Sequence, residues 1–281
     1  MDKSFASRYF RNEHGWILFP RDVEYRRSLF PNPKLGSATD VFQHPAKMQL
    51  YLVESLVEYL TEPGDWILDP FGGTGSTALA LRSGRNVVLI EIEESFNTII
   101  HETAELLVPD GHQLPHPNGW SWLAPPGFGE LRVYLGDNRK MVPLIGKDRI
   151  KAVITSPPYS TALKNAGRLQ ATMREEYAHN FANMGNLNPF YWEQAMKELW
   201  KGLAEVVIPG GYVAMVNKDM MRSGQRENLS LGLLRGAAGF QYKEWYKWAT
   251  PGTQRTLAMK AKGAEAVLDE DILIFRKDVE V

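Results

Sequence analysis

The stretch from Trp66 to Leu81 constrains the fold most, because a short strand there runs into a glycine-rich turn and then a helix. Trp66-Ile67-Leu68 is apolar and short, which predicts a buried strand, and Ala78–Leu81 predicts the start of a helix. The turn between them reads Asp69-Pro70-Phe71-Gly72-Gly73-Thr74-Gly75-Ser76-Thr77. A strand, an acid, a glycine-rich turn and a helix form the first unit of a nucleotide-binding α/β fold.

The glycine spacing narrows the kind of ligand. Gly73 and Gly75 let the backbone approach a bound molecule closely. The spacing is not G-x-G-x-x-G, which disfavours a dinucleotide, and no Gly-Lys-Ser/Thr follows, which disfavours a Walker loop.

Three further strands are predicted to end at the same edge of a parallel sheet. Asn86–Ile90 ends at Glu91, Leu131–Gly136 ends at Asp137, and Ala152–Thr155 ends at Ser156. Ligands of open α/β sheets bind where the strands' carboxyl ends meet. We expect Glu91, directly at its strand terminus, to accept hydrogen bonds from a ribose; Glu93 is the less favoured choice.

The last of these strands stops at Ser156-Pro157-Pro158-Tyr159. Proline has no N–H and a fixed φ, so this pair ends the strand and stiffens the loop. The loop presents a hydroxyl, a carbonyl and an aromatic face, which suit a planar molecule with an amino group. The ring would stack on Tyr159, and the amine would donate to Ser156 and to the Pro157 carbonyl. A proline-rich loop without chemistry is the alternative.

Ser156–Tyr159 resembles the tetrapeptide (Asp/Asn/Ser)-Pro-Pro-(Tyr/Phe/Trp) of the amino-methyltransferases, which methylate exocyclic amines of nucleic-acid bases. Asp69–Gly75 resembles the S-adenosylmethionine loop of the same family, and His44-Pro45-x-Lys47 resembles its segment beside the methionine end of the cofactor. The resemblance covers Phe42 to Lys277. It departs in order: the cofactor loop precedes the catalytic loop, which suggests a circular permutation that leaves the recognition segment unplaced.

The resemblance implies a Rossmann-like class I α/β fold with S-adenosylmethionine as cofactor. We expect one catalytic domain over residues 1–281, with a mostly parallel seven-stranded sheet, one antiparallel strand, and helices on both faces. An N-terminal extension would occupy 1–40, the cofactor half and catalytic loop 42–159, DNA-recognition loops 160–189 and 218–228, and the remaining fold 190–281. The expected cofactor-binding residues are His44, Lys47, Asp69, Pro70, Phe71, Gly73, Thr74, Gly75, Ser76, Thr77, Glu91, Asp137 and Asn138; in the family Asp137 binds the adenine amine.

The first position of the tetrapeptide bears on the substrate. In the family, Ser is associated with cytosine N4, whereas Asp or Asn is more typical of adenine N6. We therefore expect methylation of cytosine N4 in double-stranded DNA, with adenine N6 as the alternative. An RNA guanine-N2 methyltransferase and a non-catalytic DNA-binding protein are less favoured.

Basic residues near the catalytic loop are candidates for phosphate contacts. Lys164, Arg168 and Arg174 lie in Ser160–Arg174, a segment after Tyr159 that contains no acidic residue, and Lys218 and Arg222 lie in a second basic loop, Lys218–Arg226. Asparagines in Asn180–Asn188 are candidates for base reading. The next candidates are the arginines of Arg21–Arg27 in the N-terminal extension.

Several further elements follow from local patterns. An amphipathic helix is predicted within Phe42–Leu60 with Pro45 near its first turn, and Val108–Gly129 is expected to be a loop insertion because it is rich in Pro and Gly. Pro189–Val207 is predicted to be a helix whose aromatic residues face the core.

Composition sets the broad class of protein. The chain has 281 residues, a formal net charge of −1 and no Cys, which excludes a disulfide framework and a thiolate metal site. The six His residues are scattered along the chain, and no metal is expected. Without a long apolar run or signal pattern, we expect a cytoplasmic protein, prokaryotic or phage-encoded, with no membrane contact. A restriction endonuclease partner, and a monomer or a dimer, stay open.

Overall fold

The computed structural model describes residues 4–30, 47–158, 182–222, 225–251 and 267–279. Strands within these ranges are β1 (Trp66–Asp69), β2 (Asn86–Glu91), β3 (His112–His116), β4 (Gly119–Leu123), β5 (Leu131–Leu135), β6 (Ile150–Thr155), β7 (Val207–Asn217), β8 (Met220–Arg222), β9 (Gln225–Glu227), β10 (Phe240–Ala249) and β11 (Asp269–Lys277). Helices are α1 (Val23–Leu29), α2 (Leu50–Leu60), α3 (Glu94–Leu107), α4 (Met141–Ile145), α5 (Pro189–Val206) and α6 (Leu229–Gly236). Short 3-10 helices span Ser76–Ser83, Asn138–Lys140 and Met184–Asn186.

One large sheet has the strand order β10-β11-β7-β6-β1-β2-β5-β4-β3. Its centre, β7-β6-β1-β2-β5, is parallel, and β11 lies antiparallel between β7 and β10. The predicted seven-stranded sheet with one antiparallel strand is therefore present. The sheet has nine strands rather than seven, because β4 and β3 extend it beyond β5.

Both faces of the sheet are covered, as predicted. On β2, Val87 and Leu89 join a core with α2 and α3, whereas Val88 and Ile90 join a second core with α5. This alternation is the pleat of a strand whose two faces are both buried. The central parallel strands are therefore buried on both faces of the sheet.

The expected loop insertion Val108–Gly129 was wrong in part, because it contains the antiparallel hairpin β3–β4. Trp120 and Trp122 alternate along β4 and are buried, and their indole groups donate to Asn97 and to the Val108 carbonyl. The Pro and Gly content of this stretch predicted a loop, although the alternation of Trp120 and Trp122 is typical of a strand.

The described part of the N-terminal extension, residues 4–30, contributes to the hydrophobic core. Phe5, Ile17 and Phe30 are buried in the core, and Ile17 bridges to Trp248 on β10. The extension therefore closes one edge of the fold.

The helix predicted within Phe42–Leu60 begins only at Leu50, where the Gln49 side chain caps it by accepting from Leu52 N at 2.8 Å. Lys47 and Met48 precede the helix, and Pro45 lies outside the described residues. Within the expected basic loop Lys218–Arg226, β8 and β9 pair antiparallel, with Met220 opposite Glu227 and Arg222 opposite Gln225.

Candidate active site

The structure brings the ends of four neighbouring parallel strands together, as the sequence predicted. Across β6, β1, β2 and β5 these ends carry Ser156, Asp69, Glu91 and, just beyond β5, Asp137. Backbone bonds join the turns that follow: Gly72 N donates to Ile90 O at 2.9 Å, and Gly136 N donates to Glu91 O at 2.8 Å. The loops therefore form one continuous rim.

The glycine-rich loop turns sharply between β1 and the 3-10 helix Ser76–Ser83. Gly73 and Gly75 have φ of 51° and 78°, in the left-handed region that favours glycine. A Cβ on Gly75 would meet Ile100 at 3.6 Å, an ordinary contact, so backbone conformation rather than space is what requires glycine there.

Asp69 is buried and accepts three hydrogen bonds from the protein itself. Its donors are Thr155 Oγ1 at 2.6 Å, Thr77 Oγ1 at 2.7 Å and Phe71 N at 3.1 Å. Burial raises the pKa of Asp69 to about 6, although these bonds oppose the shift. Asp69, expected to bind the cofactor, holds the glycine-rich loop in shape and ties it to the end of β6.

Glu91 is buried at the end of β2 and accepts from three backbone N–H groups. Oε1 accepts from Ile92 N and Glu93 N, both at 2.8 Å, and Oε2 accepts from Gly73 N at 2.6 Å. Burial raises the pKa of Glu91 to about 7, against the lowering effect of the bonds. A carboxylate offers about four acceptor positions, so Oε2 keeps one for a ribose hydroxyl beside the glycine loop.

Glu93, the less favoured acid, has another role. It is buried, and its Oε1 accepts from Asn183 Nδ2 at 2.6 Å. Asn183 also accepts from Gly185 N through Oδ1. Asn188 likewise caps α5 by accepting from Tyr191 N. Asn183 and Asn188, which were expected to read bases, therefore make hydrogen bonds within the protein.

Asp137 and Asn138 complete the rim beyond β5. Asp137 accepts from Arg139 Nε at 2.8 Å and Nη2 at 2.6 Å. Burial alone would raise the pKa of Asp137, but the bonds from Arg139 outweigh it and the pKa lies below its usual range. Asn138 is buried and donates to the Pro70 carbonyl at 2.7 Å, which ties this turn to the cofactor loop.

The catalytic loop is described as far as Pro158, and Tyr159 lies outside the described residues. Ser156 is half-buried and Pro157 is buried. The Pro158 carbonyl accepts from Trp192 Nε1 at 2.7 Å. The loop is thus anchored by Asp69 on one side and by α5 on the other.

The sequence did not predict the anchoring roles of Trp192 and Arg26. Trp192 fits the apolar period of α5 and so resembled an ordinary core residue. Arg26, a candidate phosphate contact, is instead buried, donating to Ser76 Oγ at 3.1 Å and to the Met48 carbonyl at 2.6 Å. Asp22, at 2.9 Å from Arg26 Nη2, supplies the compensating charge. An acid four residues before Arg26 was the signal available in the sequence.

Several residues predicted to contact the cofactor or DNA lie in parts of the chain that the structure does not describe. His44, Lys164, Arg168, Arg174 and Asn180 lie outside the described residues, as does the side chain of Arg222. Lys218 is described: its Nζ donates to Thr250 Oγ1 at 3.0 Å and lies 3.7 Å from Glu270. Its charge is therefore partly compensated within the protein.

The described part of the chain holds no group of three or more His, Asp and Glu residues arranged to bind a metal. In the same part, no helix is long and apolar enough to cross a bilayer.

Solved structures define the class of fold. TrmN from Thermus thermophilus matches 83% of this chain and 50% of its own, at 15% identity and a TM-score of 0.50. A geranyl diphosphate methyltransferase, solved with geranyl diphosphate and sinefungin, matches 82% of this chain and 79% of its own, at 12% identity and a TM-score of 0.50. The chain has the Rossmann-like fold of class I methyltransferases.

Sequence comparison shows which proteins parts of this chain are similar to. A family model described as DNA methylase, of the N6/N4 type, matches residues 7–102. Type II methyltransferase M2.DpnII of Streptococcus pneumoniae is 38% identical over 64 residues, which are 22% of this chain and 24% of that protein. Type II methyltransferase M.BglI of Bacillus subtilis is 40% identical over 63 residues, 22% of this chain and 18% of that protein. Residues 7–102 of the chain are therefore similar to the N6/N4 DNA methylase family, and the stretches matched to the two relatives span about a quarter or less of each relative. The family model includes most of the N-terminal extension.

The family and fold imply S-adenosylmethionine as cofactor, and the residues fit it. The glycine loop leaves its backbone close to the rim, and Glu91 Oε2 faces the same loop with acceptor capacity left. Asp137, at the next strand end, is held in its ionised form by Arg139. A nucleoside with ribose hydroxyls and an adenine amine matches this order of acceptors along the rim.

Proposed function

We propose that this protein transfers a methyl group from S-adenosylmethionine to the exocyclic amine of a base in double-stranded DNA, with cytosine N4 as the preferred target and adenine N6 as the alternative. The observation that supports this most is the 2.6 Å bond between Thr155 and Asp69. It fixes the start of the Ser-Pro-Pro-Tyr loop beside the cofactor loop, so donor and acceptor sites adjoin.

In this proposal the rim holds both reactants. Glu91 accepts from the ribose, Asp137 accepts from the adenine amine, and the backbone at Gly73 and Gly75 lies along the cofactor. Most of the rate enhancement then comes from holding the methyl donor and the amine in line.

The target base must leave the duplex stack, at a cost of a few kcal/mol. Stacking on Tyr159 returns about 1–3 kcal/mol. The two N–H groups of the amine donate to Ser156 and to the Pro157 carbonyl. These bonds favour a pyramidal nitrogen, whose lone pair is otherwise delocalised into the ring.

When bound, S-adenosylmethionine supplies an electrophilic methyl group on a sulfonium that departs as a neutral thioether. No general acid is therefore required. Ser156 is a weak base, and the excess proton of the methylated amine passes to water after the transfer.

Methyl transfer with tritium-labelled cofactor tests the proposal. We expect label in duplex DNA, with N4-methylcytosine in the hydrolysed product, and label as N6-methyladenine would select the alternative target. Tyr159→Ala should keep cofactor affinity, measured by calorimetry, and lose most turnover. Label in RNA alone, or cofactor binding without any transfer to DNA, would overturn the proposal.

We also propose where the enzyme acts and which kind of enzyme could be its partner. The enzyme works in the cytoplasm, where prokaryotic or phage DNA lies. A restriction endonuclease that cuts the same sequence is a candidate partner, and protection of methylated DNA against that endonuclease would show the pairing.

A further inference from the structure

Two aromatic side chains are exposed together at the start of α5. Phe190 is 64% exposed and Tyr191 is 59% exposed. Their ring centroids lie 5.4 Å apart at an interplanar angle of 73°. Single exposed apolar residues are common on protein surfaces, but a contacting aromatic pair leaves a compact patch of ring surface in water.

The pair lies beside the catalytic loop. The next residue, Trp192, is buried and donates to the Pro158 carbonyl at 2.7 Å. At the far end of α5, the Glu205 carbonyl accepts from Asp148 N, just before β6 begins. The helix therefore runs antiparallel to β6, and its first turn stands at the edge where the target base is proposed to enter.

The first turn is also held in place. Asn188 caps α5 by accepting from Tyr191 N at 3.0 Å, and Pro189 occupies the first helical position. A capped turn that starts with proline keeps the two rings on a fixed backbone.

We propose that Phe190 and Tyr191 stack on the DNA bases that flank the extruded target. This deepens the proposed function and rests on it. Extrusion costs a few kcal/mol because the neighbouring bases lose a stacking partner. Aromatic side chains provide about 1–3 kcal/mol per base in return, and apolar wedges elsewhere enter base steps in this way. The pair then promotes extrusion of the target base from paired DNA, separately from Tyr159, which receives the target base itself.

The test compares a fully paired duplex with one whose target base is mismatched, each containing the methylation site mapped with the wild-type enzyme. For F190A/Y191A we expect unchanged cofactor affinity and a 10- to 100-fold loss of kcat/KM on the paired duplex. On the mismatched duplex, where extrusion is easier, most of that loss should disappear.

Two matched variants complete the design. F190Y/Y191F keeps both rings and should retain wild-type activity on both duplexes. Tyr242→Ala removes an aromatic ring that is 49% exposed on β10, whose first residues pair with the far end of β11, and should also leave activity unchanged.

Three outcomes overturn the inference: an equal loss on both duplexes, no loss on either, or a change from dimer to monomer that accompanies the loss. The last would make the patch an interface between two copies of the chain. If the wild-type enzyme methylates no DNA in the same assay, the proposed function fails and this inference fails with it. An active wild type beside an unaffected F190A/Y191A refutes the stacking role alone.

Discussion

The ionisation of Glu91 should control cofactor affinity near neutral pH. Its pKa is raised from 4.5 to about 7 by burial. In the proposed complex, ribose hydroxyls donate to the ionised carboxylate. If only the ionised form binds, about one molecule in ten is competent at pH 6 and about nine in ten at pH 8. We therefore expect the cofactor to bind about tenfold more weakly at pH 6 than at pH 8.

Calorimetric titration of the cofactor across this range measures the effect. The amino group of the ligand also titrates, so Glu91→Gln supplies the baseline. That variant should bind about 10- to 150-fold more weakly at pH 8, because it loses a charged hydrogen bond of about 1.5–3 kcal/mol. Its remaining pH dependence belongs to the ligand. Glu94→Gln, at an exposed neighbouring acid, should follow the wild type.

The same pKa fixes the sign of a stability effect. A carboxyl whose pKa is higher in the folded state stabilises the fold below about 4.5, and this contribution is lost as pH rises through about 7. Chemical denaturation of the cofactor-free protein should show that loss, and the loss should be smaller in Glu91→Gln, where the raised pKa of Asp69 still contributes. An affinity that does not change between pH 6 and pH 8 beyond the Glu91→Gln baseline would refute the role of Glu91 as the ribose acceptor.

Three further predictions follow from contacts in the structure. Trp192→Phe keeps the ring but removes the bond to Pro158; turnover should fall about tenfold with cofactor affinity unchanged, and weaker cofactor binding would contradict this. Gly75→Ala places a side chain at φ 78° and should lower the free energy of unfolding by about 1–2 kcal/mol in urea; an unchanged midpoint would contradict it. Arg226→Ala leaves Asp219 and Asp269 buried without their shared partner and should destabilise by about 1–3 kcal/mol, whereas Arg235→Ala, on α6, should not; equal thermal midpoints would argue against the network.

The sequence predicted the catalytic rim because its signals are local. Short apolar strands end in an acid, a glycine turn or a proline pair, and parallel strands bring those ends to one edge. The positions of Asp69, Glu91, Asp137 and Ser156 follow from that rule. The hydrogen-bond partners of each acid did not follow from that rule, because the donors to Asp69 include Thr155, a residue distant in sequence.

The elements that the sequence missed depend on long-range packing. Arg26 resembles a surface arginine until Asp22, Met48 and Ser76 surround it. The hairpin β3–β4 is stabilised by α3, since Trp120 bonds to Asn97 of that helix, and its Pro and Gly content masked the alternation of the strand. Local propensity is overridden in both places by partners elsewhere in the chain.

The bridge between Ile17 and β10 has a consequence for how the chain acquires its structure during synthesis. Ile17 exchanges hydrogen bonds with Lys247 and Ala249, near the other end of the chain. At about 5–20 residues per second, a ribosome delivers that partner more than about 10 s after Ile17 emerges. The bridge at Ile17 therefore forms only in the last stage of folding, after β10 has joined the sheet, whereas the bonds from Arg26 to Met48 and Ser76 have their partners as soon as the cofactor half is made.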